Sequence, residues 1–100
     1  MLPVKRIDPN ATLPTRATEH SAGLDLYASA DITIASGWRV TVPTGVSVAI
    51  PQGCYGALHI RSGHARKKGL SLANGVGVID ADYRGELLAV IENRGQIPQI

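Results

Sequence analysis

The residues best suited to chemistry lie in one segment, Gly77-Val78-Ile79-Asp80-Ala81-Asp82-Tyr83-Arg84-Gly85-Glu86. An apolar run meets two carboxylates at alternate positions, then an aromatic, a cation and a glycine. Asp80 directly follows Val78-Ile79, which predicts a buried strand end for it. A carboxylate there must be hydrogen-bonded, paired or functional, because unpaired burial of charge is costly. Tyr83 pairs a flat apolar face with a polar tip, a shape that stacks on a sugar or a base. A carboxylate beside such a platform can hold a sugar hydroxyl and take a proton from water. The same Asp-Ala-Asp also suits a solvated hairpin tip.

A second candidate is Arg61-Ser62-Gly63-His64-Ala65-Arg66-Lys67-Lys68-Gly69. Serine offers a hydroxyl, glycine lets backbone N–H groups approach an oxyanion, and arginine binds phosphate or carboxylate in a bidentate fork. Ser-Gly is also a common turn. A third candidate is Asp25, set between Leu24 and Leu26 in Ser21-Ala22-Gly23-Leu24-Asp25-Leu26-Tyr27-Ala28. On a strand it faces away from both leucines. It is then an exposed strand residue, a partner for Arg61, or a contact to the water shell of a metal. His20, His59 and His64 lack metal-ligand spacing, and no base stands beside Cys54 in sequence.

Short strands must position these residues. Leu24–Ala28, Asp31–Ile34, Arg39–Val42, Val46–Ile50, Tyr55–Arg61, Val76–Ile79 and Leu87–Glu92 read as strands. Val46-Ser47-Val48-Ala49-Ile50 alternates with a period of two, the pattern of a half-buried strand. Ser36-Gly37, Pro43-Thr44-Gly45 and Pro51-Gln52-Gly53 punctuate the runs. Only His64–Lys68 reads as a helical turn. Regularly spaced short strands predict an all-β barrel or sandwich. At 100 residues the chain supports a single domain with a lean core, and 11 glycines with 6 prolines favour turns over long helices. No apolar run approaches a membrane span, and the start has no apolar signal region. One cysteine excludes an internal disulfide framework, so a reducing cytoplasm is the expected compartment. A net charge of +2 is too small to imply direct nucleic-acid binding. The excess gathers at Arg61, Arg66, Lys67 and Lys68, a run that also suits a solvated surface.

Together these segments resemble the trimeric dUTPase family (deoxyuridine triphosphate nucleotidohydrolases). Ala22-Gly23-Leu24-Asp25-Leu26-Tyr27-Ala28 is similar to its first motif and Arg61-Ser62-Gly63 to its second. Asn74-Gly75-Val76-Gly77-Val78-Ile79-Asp80-Ala81-Asp82-Tyr83-Arg84-Gly85-Glu86 is similar to its third, and Pro43-Thr44-Gly45-Val46 to the strand between the first two. The resemblance runs from about Val4 to Arg94.

It implies a jelly-roll-like β-clip barrel working as a homotrimer, with sites shared between subunits. The implied reaction is dUTP plus water giving dUMP and pyrophosphate, with Mg²⁺ carried by the phosphates; it limits uracil in DNA and supplies dUMP for dTMP synthesis. By the third motif, Asp80 orients and deprotonates the water and contacts the 3′-OH, while Tyr83 stacks on the sugar and leaves no room for a 2′-OH. Asn74 and backbone groups near Val78, Ile79 and Leu88 read uracil. By the second motif, Arg61, Ser62 and Gly63 hold phosphate. Asp25, by the first, joins the metal–water network indirectly.

The match departs from the family in three places. His64 stands where an apolar residue is usual. Gly95-Gln96-Ile97-Pro98-Gln99-Ile100 is either a fourth motif missing its arginine or the loop before that motif. The glycine-rich fifth motif, which closes over the nucleotide, has no counterpart. The expectation is therefore one C-terminally abbreviated domain over 1–100, whose hydrolysis is weakened without that lid. The alternatives are a dCTP deaminase-like enzyme, which shares the fold, and a non-catalytic nucleotide-binding module.

Overall fold

The computed structural model describes residues 2–95, without the side chains of residues 66 and 67. Among the described residues, seven short strands and one helix follow the order β1 (Val4–Arg6), β2 (Arg39–Pro43), β3 (Val46–Val48), β4 (Gly56–Leu58), α1 (Ser62–Lys68), β5 (Leu70–Leu72), β6 (Gly77–Ile79) and β7 (Leu88–Asn93). The strand pairings among the described residues are all antiparallel. They form a β1–β3 pair, a three-stranded β2–β7–β5 sheet, and a β4–β6 pair. The all-β expectation is therefore met. Among the described residues, no helix is long and apolar enough to cross a membrane.

The centre of the β2–β7–β5 sheet is β7, with Leu-Ala-Val-Ile against Arg-Val-Thr-Val-Pro in register Val42↔Ala89 and Val40↔Ile91. Its aliphatic, β-branched content fits a half-buried pleated surface. Val42 and Leu72 are buried, while Trp38, just before β2, is exposed. A second core cluster joins Ala11, Val46, Val48 and Leu87, with Leu2, Val4, Leu26, Ile50 and Ile79 packed against it.

Several boundaries differ from those read in the sequence. Leu24–Ala28 forms no strand; its pairing is confined to a single bridge between Thr15 and Asp25, whose N–H and C=O groups exchange two bonds. Asp31–Ile34 also forms no strand; the Ile34 carbonyl accepts from the Asn93 side chain at 2.8 Å. Two strands, β1 and β5, were not expected. The helix begins two residues earlier than His64 and closes on Gly69, whose N–H donates to the His64 carbonyl. β3 is not half-buried: Val46, Ser47 and Val48 are all buried. Ser47 is buried on the other face, where it lines a cavity with Pro3, Lys5 and Arg84.

Asn93 is fully buried and ties together the end of β7. Its Nδ2 donates to the Ile34 carbonyl at 2.8 Å and its Oδ1 accepts from Gly95 N–H at 2.9 Å. Asn93→Ala leaves both backbone groups without that partner, so we expect a loss of about 1–3 kcal/mol. Urea denaturation checks this, as a lower midpoint at unchanged slope.

Candidate active site

The strand β6 ends at Ile79, which packs toward the core cluster. Alternation along the strand turns the next side chain the other way. Asp80 is accordingly exposed, correcting the expected buried strand end. The chain then turns: Tyr83 N–H donates to the Asp80 carbonyl at 3.1 Å, and the Tyr83 hydroxyl donates to the Glu86 carbonyl at 2.7 Å. Arg84 Nη1 donates to the carbonyls of Ala81 and Tyr83, closing the turn from its other side.

This turn and β6 form one wall of a cavity of about 210 Å³. Asn74, Val78, Ile79, Asp80, Tyr83 and Leu88, all singled out in the sequence, line it together. Leu58, Gly77, Glu86 and Leu87 also line it and were not assigned. Leu58 enters because it stands opposite Gly77 in the β4–β6 register. A Cβ at Gly77 would press on the Leu58 side chain at 3.2 Å, a close approach that the glycine in the motif hints at. The pair β4–β6 has two strands, so one edge of β6 has no strand partner among the described residues. Its peptide groups are available to a flat ligand with donors and acceptors along its rim.

Arg61, Ser62, Gly63 and Asp25 are not part of this cavity. Arg61 precedes α1, and Ser62 and Gly63 are its first residues, all exposed. The first N–H groups of a helix lack intrahelical acceptors. Arg61 Nη1 donates to Asp25 Oδ2 at 3.0 Å, the pairing that the sequence left open among its readings. Arg61 is 64% exposed, so the ion pair holds geometry more than stability. A double-mutant cycle of Arg61→Ala and Asp25→Ala should give a coupling of at most about 1 kcal/mol in thermal or urea unfolding. Arg61 and His64 border a separate, largely apolar cavity of about 290 Å³ with Leu26 and Ile60. Gly95 is described, but the rest of the proposed fourth motif, residues 96–100, lies outside the described residues.

Among the described residues no three His, Cys, Asp or Glu side chains gather into a possible metal site, and the Asp25 carboxylate is engaged by Arg61. Cys54 is exposed and unpaired by any disulfide.

A family model described as dUTPase matches residues 9–98. The deoxyuridine 5'-triphosphate nucleotidohydrolase of Mycolicibacterium gilvum is 49% identical over 92 residues, covering 92% of this chain and 60% of the relative. That of Corynebacterium jeikeium is 50% identical, covering 92% and 59%. Among solved structures, a mutant dUTPase from phage phi11 of S. aureus, described as coordinating a structural Mg(II) ion, superposes with a TM-score of 0.88 at 33% identity, covering 94% of this chain and 60% of that one. The chain thus spans about 60% of the length of the relatives it matches. The β-clip, jelly-roll-like fold expected from the motifs is the fold of these neighbours. With a family match over nearly its whole length and close relatives of one name, the chain belongs to the dUTPase family.

Proposed function

We propose that this chain, read as a single dUTPase-like domain over 1–100, hydrolyses dUTP to dUMP and pyrophosphate, working in the cytoplasm as a homotrimer. One observation carries the reading: Asn74, Val78, Ile79, Asp80, Tyr83 and Leu88 surround a single cavity. The free edge of β6, with Asn74 and Leu88, reads the rim of uracil, and its close fit excludes a 5-methyl group. The Tyr83 face lies under the deoxyribose, where a 2′-OH finds no room. Asp80 accepts the 3′-OH and takes the proton of the attacking water.

Water attacks a phosphoanhydride slowly because charged oxygens repel it, so catalysis depends on in-line placement and on donors to the phosphates. Those donors are Arg61, Ser62 and Gly63. Their separation from the nucleoside cavity within one chain supports a site completed by a neighbouring copy. Mg²⁺ arrives on the triphosphate as part of the substrate, with Asp25 reaching it through water.

The test is product identity. Incubation of the chain with dUTP should release equimolar dUMP and pyrophosphate, and dCTP should release no ammonia. Ammonia from dCTP would establish a deaminase instead. Analogue binding with no product from either nucleotide would leave a non-catalytic module.

A further inference from the structure

Tyr83 is held by a device that reaches across the fold, and its components are Gly45, Gly85 and Glu86. The Tyr83 hydroxyl donates to the Glu86 main-chain carbonyl at 2.7 Å. The carboxylate of the same residue reaches the other way: Glu86 Oε2 accepts from Gly45 N–H at 3.0 Å, in partly buried surroundings. The next residue is pinned beside it, since Leu87 N–H donates to Val46 and Thr44 Oγ1 donates to the Leu87 carbonyl at 2.6 Å. The aromatic ring therefore hangs from a carbonyl whose own position is set by the buried Thr44-Gly45 turn.

Gly85 supplies the clearance. A Cβ at that position would stand 2.6 Å from the Tyr83 hydroxyl oxygen and 2.7 Å from the ring carbon bearing it. Such distances are well inside contact, so any side chain at 85 displaces the ring. Glycine is required here by close approach, not by a left-handed backbone.

We infer that Glu86 is a positioning residue that, with Gly85 as the clearance, sets the height and tilt of the Tyr83 ring and through it the preference for a 2′-deoxy sugar. This deepens the function proposed above and rests on it. Glu86 also borders the cavity, but its carboxylate is engaged by Gly45 N–H and its carbonyl by the Tyr83 hydroxyl, so its assigned role is exerted through Tyr83. Steric exclusion of one hydroxyl requires a platform fixed to a fraction of an ångström, and a misplacement of about 1 Å can cost a hundredfold. A ring attached only to its own short turn has no such reference.

Three variants of the full chain test it: Glu86→Ala, Glu86→Gln and Gly85→Ala. The readouts are the ratio of kcat/KM for dUTP over UTP, and the NMR cross-relaxation between the Tyr83 ring protons and the Gly85 α protons. Glu86→Ala should lower the ratio about tenfold or more and weaken the ring–Gly85 signal. Glu86→Gln keeps a carbonyl acceptor for Gly45 N–H and should restore both to within about twofold of wild type. Gly85→Ala should lower the ratio as Glu86→Ala does. A wild-type ratio in Glu86→Ala, or equal losses in the Ala and Gln variants, would overturn the inference. If wild-type protein hydrolyses neither nucleotide, the proposed function fails, and the ring–Gly85 signal in the two Glu86 variants decides the positioning role alone.

Discussion

Replacing Asp80 with asparagine should reduce turnover of dUTP by about 10²–10⁴-fold, the usual contribution of a positioned proton acceptor. Affinity for a non-hydrolysable dUTP analogue should stay within a few-fold of wild type. The reasons are local. Asp80 lines the cavity with Tyr83 and is open to solvent, so its side chain can reach a water. Its structural contribution to the turn is made by the backbone, through the carbonyl that accepts from Tyr83 N–H. Asparagine retains that carbonyl, the side-chain size and a hydrogen bond to a sugar hydroxyl. It removes the carboxylate that takes the proton. Single-turnover hydrolysis and calorimetric titration separate the two effects. Turnover within tenfold of wild type would remove Asp80 as the base.

The largest effect on stability is expected at Gly45. Its φ of +71° is in the left-handed region, where an L side chain costs roughly 1–2 kcal/mol. A Cβ there would also stand 2.7 Å from that of Ala11 and 2.9 Å from that of Asp8. Ala11 belongs to the core cluster, so the neighbours have little room to yield, and overpacking adds about 1–3 kcal/mol. The residue is a junction as well: its carbonyl accepts from Ile7 and Asp8 N–H, and its own N–H donates to Glu86. Gly45→Ala should therefore lose about 2–5 kcal/mol, seen as a lower urea midpoint and a melting temperature reduced by about 10 °C or more. A loss under about 1 kcal/mol would show that the turn relaxes freely.

The cavity beside β6 is largely legible in the sequence because most of its lining is local. Asn74, Val78, Ile79, Asp80 and Tyr83 lie within ten positions, on one short strand and the turns on either side of it. What could not be read came from pairings across long separations. Leu58 enters through the register with Gly77, and Glu86 becomes significant through a bond to Gly45, 41 positions away. The exposure of Asp80 is not legible from the apolar run, because Val78 faces out at 64% exposure and Ile79 turns to the core. Composition is a poor guide to pairing in two N-terminal segments. Leu24–Ala28 has an apolar look but pairs only through Asp25, while Val4-Lys5-Arg6 carries two cations and still pairs with β3. Such short pairings are decided by neighbours more than by propensity.

The proposal that the Asp80–Tyr83 turn and β6 select and hydrolyse a deoxyuridine triphosphate is tested most directly by one assay. Pyrophosphate release by the full chain is measured with dUTP, UTP, dTTP and dCTP in parallel, in wild type and in Asp80→Asn. Release from dUTP well above the other three, and lost in Asp80→Asn, is the predicted result. Equal release from all four nucleotides, or release from dUTP that survives Asp80→Asn, would contradict it.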